Sequence, residues 1–144
     1  MVKTKLAEIE AAITAVKKTF AQAPHSLSAA DLPAFVNFTG AATHDWRAGG
    51  SEVDIETRTY LLRLYVKPVG DGMAGEGERV CEPFFAGVRD YLAARPGLER
   101  LTGVQLATLV GDGGVQVFQY GGLQFYGIEF RLQVTELVEV VYVE

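Results

Sequence analysis

Near the amino end, apolar side chains recur at steps of three and four: Leu6, Ile9, Ile13, Val16 and Phe20. On a helix of about 3.6 residues per turn these positions share one stripe. The spacing predicts an amphipathic helix that begins at an N-cap on Thr4 and stops before Pro24. Glu8, Glu10, Lys17 and Lys18 lie on its wet face. Ser28 and Asp31 have the spacing of a capping box, which predicts one helical turn before Pro33. A short strand is expected over 34–39, ended by Gly40, and a loop over 41–50 that carries His44, Asp45, Trp46 and Arg47.

The next stretch, 52–66, alternates as a strand should. Val53, Ile55, Thr57 and Thr59 oppose Glu52, Asp54, Glu56 and Arg58. From Tyr60 the apolar set moves to the charged side, as Tyr60, Leu62, Leu64 and Val66. A period of two changes face only through a bulge or through a change in what covers the sheet. The pattern reads as a strand that passes from one environment into another. A glycine-rich mobile loop is expected over 67–79, then a second helix from about Pro83 to Arg95 with Phe84, Val88, Tyr91 and Leu92 as its stripe. A strand over 101–110, a glycine-bounded hairpin over 111–122 and a strand alternating on Tyr126, Ile128, Phe130, Leu132 and Val134 follow. Beyond them, 136–144 stays β-prone with apolar residues on both faces, which predicts a segment able to exchange strands with another chain.

These elements predict one α+β domain over 1–144 in the order α-β-β-α-β-β. Its antiparallel or mixed sheet would hold about four to five strands, with two helices packed on one face and water or a partner on the other. At 144 residues the chain suits a single domain with its own core. One cysteine excludes an internal disulfide. Glu8 and Glu10 interrupt any apolar amino-terminal run, so no signal peptide is read there, and no run of about 18 apolar residues predicts a membrane helix. The net charge of −5 and the lack of a basic patch beyond Lys17–Lys18 argue against direct nucleic-acid binding.

Candidate chemistry is sparse. Gly70-x-Gly72-x-x-Gly75 follows a strand and precedes a helix, as a dinucleotide loop does, but Glu76 and Glu78 would repel the phosphates and Asp90 falls inside a helix. His44 and Asp45 have the types of a base and its orienter, yet adjacent residues seldom share a hydrogen bond, so His25 and His44 read as exposed loop imidazoles. Cys81 beside Glu82 reads as an unreactive, partly buried thiol. Zinc would need more than two histidines and one cysteine. Asp71, Glu76 and Glu78 fit no calcium loop, and Glu52, Asp54 and Glu56 on one strand face read as a solvated or partner-facing surface. No catalytic, cofactor-binding or metal-ligating residue is therefore expected. What remains is adhesive surface: Val138, Val140 and Tyr142 on one side of the last strand, and Leu137, Val141 and Val143 on the other. Trp46 beside Arg47 fits an interface anchor or a core tryptophan under a loop.

The layout, and the ending YGIEFRLQV with its β-prone extension, resembles the tail terminator (tail completion) proteins of long-tailed bacteriophages. The likeness implies a structural virion protein, not an enzyme and without a cofactor. Such a protein forms a hexameric ring on the tail tube, stops its polymerisation and offers a surface to the head–tail connector. Its partners would be other copies of itself, the tube protein and the connector, with DNA only passing through the lumen and no membrane. It would be assembled in the host cytoplasm and reside in the virion at the tail–head junction. Six copies at −5 each would carry about −30 around that lumen. Trp46, Arg47, Leu137, Val138, Val140 and Tyr142, with Gly70, Gly72 and Gly75, are the expected assembly residues. Two rivals share the pattern: another phage neck or minor tail component, and a small ferredoxin-like enzyme or ligand-binding domain using the cleft beside Gly70–Gly75.

Overall fold

The computed structural model describes residues 1–45, 53–70 and 75–139, and the side chains among them except those of Val53 and Glu139. The elements are α1 (Val2–Glu10), β1 (Lys18–Phe20), β2 (Ala34–Asp45), β3 (Val53–Pro68), α2 (Glu76–Ala93), β4 (Val104–Tyr120) and β5 (Leu123–Glu139). They form an α+β fold around one mixed five-stranded sheet in the order β1-β2-β3-β5-β4, with β1 parallel to β2 and the other pairs antiparallel. Among the described residues no helix is long and apolar enough to cross a membrane.

The opening helix is shorter than its stripe suggests. Thr4 lies inside α1, whose N-cap is Met1, and the helix ends at Glu10. Ala15 takes a left-handed φ of 72°, which turns the chain, and Lys18–Phe20 then pairs with Ala34–Val36 as an added strand. Ile13 stays buried in the turn, while Phe20 packs on the opposite side of the sheet. The physical reason is β-branching: Ile13, Thr14, Val16 and Thr19 follow Glu10 and weaken helix continuation. The capping box forms as expected, with Ser28 N–H donating to Asp31 Oδ2 at 3.1 Å over the turn Ala29–Asp31.

The second helix is longer than expected. It begins at Glu76, with Gly75 as a left-handed N-cap (φ 79°), so Pro83 is an interior residue. Two acids in the first turn, Glu76 and Glu78, suit the positive end of the helix dipole. The expected loop over 67–79 is accordingly shorter: Lys67 and Pro68 belong to β3, and 76–79 are helical. Lys67 Nζ pairs with the buried Glu76 carboxylate across the gap. Residues 71–74 lie outside the described residues.

Both helices bury their stripes in one cluster. Val2, Leu6 and Ile9 of α1 and Cys81, Phe84, Val88 and Leu92 of α2 meet Tyr60, Leu62, Leu64 and Val66 of β3 and Ile128, Phe130, Leu132 and Val134 of β5. The opposite face is not simply left to water. Leu27 and Leu32, from the segment before β2, cover Ala34, Val36, Tyr65 and Phe125. There the Tyr65 ring meets Phe118, Tyr120 and Phe125 edge-on, at 5.7, 5.5 and 5.8 Å.

β2 does not stop at Gly40 but passes through a bulge there and continues to Asp45. A Cβ on Gly40 would meet Thr59 O at 2.5 Å, so only glycine allows this close crossing. β3 shows no register shift between Val53 and Tyr65 against β5, so its apparent change of face is a change of cover. The segment 111–122 is not a separate hairpin. Residues 111–120 belong to β4, which bulges near Leu109–Gly111 and Asp112–Val115, and the tight turn is Gly121–Gly122 with φ of 58° and 81°.

Candidate assembly edges and a polar cluster on the sheet

The two sheet edges differ. On one side, β1 covers only Ala34–Val36 of β2. On the other, β4 is the terminal strand and runs for 17 residues. Ala107 N–H donates to Pro96 O at 2.6 Å, so the loop after α2 closes the start of that edge. Beyond Ala107, among the described residues, no main-chain hydrogen bond reaches the outer side of β4. The bulges break the edge into pieces and leave Val115–Tyr120, opposite Leu123–Ile128, as its longest regular run. Val110 and Val117 on this strand are 50% and 52% exposed, and Leu123 at the turn is also exposed. A regular strand run with a bare main-chain edge is a template for another strand.

The expected assembly residues are scattered. Leu137 and Val138 are exposed and sit on opposite faces of β5, across from Ile55 and Asp54. Residues 136–139 pair with β3 of the same chain, and 140–144 of the expected strand-exchanging segment lie outside the described residues. Trp46, Arg47, Gly72, Val140 and Tyr142 lie outside the described residues. Gly70 and Gly75 lie in the chain between Lys67 and Glu76, which pair at the far end of β3 from Leu137. An apolar cavity of about 300 Å³ lies away from those glycines, between the turn after α1 and α2, lined by Ile13, Pro83, Phe84 and Tyr91.

The helix-covered face carries a polar cluster where the helices end. On the paired ends of β2, β3 and β5, His44 stands opposite Glu56, and Glu56 opposite Glu136. His44 Nδ1 contacts Oδ2 of Asp54, so the carboxylate that orients this ring comes from the neighbouring strand. Asp45 lies opposite Ile55, on the other face. Arg58 Nε donates to Glu56 Oε1 at 2.8 Å, and Arg58 Nη1 to Gly40 O at 3.0 Å, which ties the bulge to the cluster. Burial pushes the Glu136 carboxyl above its ordinary range, and the Glu56 charge adds to this. The amino terminus and Arg58 pull the other way.

His25 is exposed, as expected. Cys81 is fully buried, and burial pushes its thiol up to about 11. Glu10 was expected on the wet face of the first helix and is instead fully buried, where it accepts a 2.8 Å hydrogen bond from Asn37 Nδ2. Burial raises its carboxyl well above the ordinary range, against the lowering effect of that bond. The polar cluster was missed for a related reason. Asp54 and Glu56 are visible as one strand face, but His44 joins them only through the register across the β2–β3 connection. No family model and no curated protein matches the chain.

Proposed function

We propose that this chain is a structural virion protein of the tail terminator type, which caps the phage tail tube, stops its growth and presents a surface for joining to the head. The observation that carries the reading is the unequal pair of sheet edges. The β4 edge, bare beyond Ala107 among the described residues, and the β2 edge, covered by β1 only at Ala34–Val36, are unlike. Where the β4 edge of one copy meets the β2 edge of the next, the contact is head to tail, and a head-to-tail interface that closes makes a ring. The two helices on one sheet face supply a rigid wall, while the edges stay available to neighbouring copies. The net charge of −5 per copy suits a lumen through which DNA slides without sticking. In this reading the protein is no enzyme, and its partners are its own copies, the tube protein and the connector at the tail–head junction.

The test is tube growth. The tube protein of the same virus is polymerised with and without this chain, and tube length and ends are scored by electron microscopy. Short tubes ending in a ring of added density support the proposal. Unchanged tube lengths with bare ends refute it. A second reading, a ligand-binding domain, is favoured by the apolar cavity beside Phe84 and Tyr91. It predicts bare tube ends together with a ligand-dependent rise in melting temperature.

A further inference from the structure

We propose that His44, Asp54 and Glu56 form a binding site for a first-row divalent cation of the zinc type. One donor atom from each of the three lies within 4.8 Å of the others. Metal–ligand bonds of about 2.0–2.2 Å place donors around one ion roughly 3–4 Å apart, so small side-chain rotations close the set. The backbone needs no change, because all three residues sit on paired strands whose register is regular on either side.

Two features distinguish this cluster from an ordinary surface ion pair. The Asp54 side chain is only 3% exposed, and its Oδ1 is buried with no hydrogen-bond partner among the described residues, while Oδ2 meets the His44 ring. A buried carboxylate oxygen without a donor is costly to fold around, and an ion beside it removes that cost. Among the described residues the charge is also unbalanced: Asp54, Glu56 and Glu136 gather on this face against Arg58 and, toward Glu136, the amino terminus. His44 is 42% exposed and gives the ion a route from solution.

The donor set selects the metal class. Magnesium and calcium prefer all-oxygen shells, whereas an imidazole with two carboxylates suits zinc, cobalt or manganese. Three protein donors leave coordination positions for water or for a group from another molecule. The proposal rests on these side chains alone and stands whether or not the chain caps a tube.

The experiment uses the tag-free full chain, titrated with Zn²⁺ by calorimetry and with Co²⁺ by visible absorption. One equivalent binds, and the thermal midpoint rises in the presence of Zn²⁺. His44→Gln and Glu56→Gln each weaken binding by roughly 10–100-fold, with circular dichroism unchanged. His25→Gln binds as the wild type does. Absence of a one-equivalent site overturns the proposal, as does equal affinity in His44→Gln and Glu56→Gln. Loss of binding in His25→Gln alone also overturns it.

Discussion

The same face of the same strands is apolar in one half of the sheet and ionic in the other. Under the helices, Tyr60, Leu62 and Leu64 of β3 and Phe130 and Leu132 of β5 are buried with α1 and α2. A few residues along, in unbroken register, that face carries Asp54, Glu56, Arg58 and Glu136. Backbone pairing is continuous, so the difference lies in what lies above it. The half under the helices holds the fold together, and the half beyond them holds the ionic cluster, with Asp54 buried in it.

Substitutions on the two halves measure this contrast. Leu64→Ala removes a fully buried side chain under the helices and is expected to cost about 2–5 kcal/mol in denaturant unfolding. Arg58→Ala, on the same face beyond the helices, loses its bonds to Glu56 and Gly40 and should cost about 1 kcal/mol. Equal costs would erase the distinction between the halves. At their border, Gly40→Ala forces a methyl against Thr59 O and should destabilise by roughly 1–3 kcal/mol, read as a lower unfolding midpoint.

Glu10→Gln sharpens the comparison from the covered side. The Glu10 carboxyl is raised in the folded chain, so its contribution is complete below its unfolded value of about 4.5. Stability is then lost as pH climbs toward the folded value, at no more than about 1.4 kcal/mol per pH unit. A glutamine keeps the Asn37 bond and cannot ionise. The variant should be more stable than the wild type at pH 8 and show a flatter profile above pH 5 in thermal melts. A wild-type profile without that decline would mean that Glu10 ionises at no cost.

Much of the fold was legible in the chain. The alternation of Tyr126 through Val134, the Phe84–Val88–Leu92 stripe and the Ser28–Asp31 cap each state a local preference that tertiary packing keeps. The failures share one cause, which is long-range pairing. Lys18–Phe20 reads as the end of a helix until β2 lies beside it, and Glu10 reads as wet until Asn37 meets it. The glycine-bounded segment 111–122 reads as a hairpin of its own until β5 holds 111–120 in a bulged strand. His44 likewise joins Asp54 and Glu56 only when two strands align, and sequence spacing carries no record of that register.

The edge of β4 is where the assembly account is most exposed to test. Hydrogen exchange over Val115–Tyr120 would be followed in the free chain and in the chain bound to tube ends. Fast exchange in the free chain and slow exchange on the tube, in amides that face away from β5, is the outcome expected if a neighbouring copy adds its strand there. Identical fast exchange in both states, on tubes that the chain demonstrably caps, would contradict it.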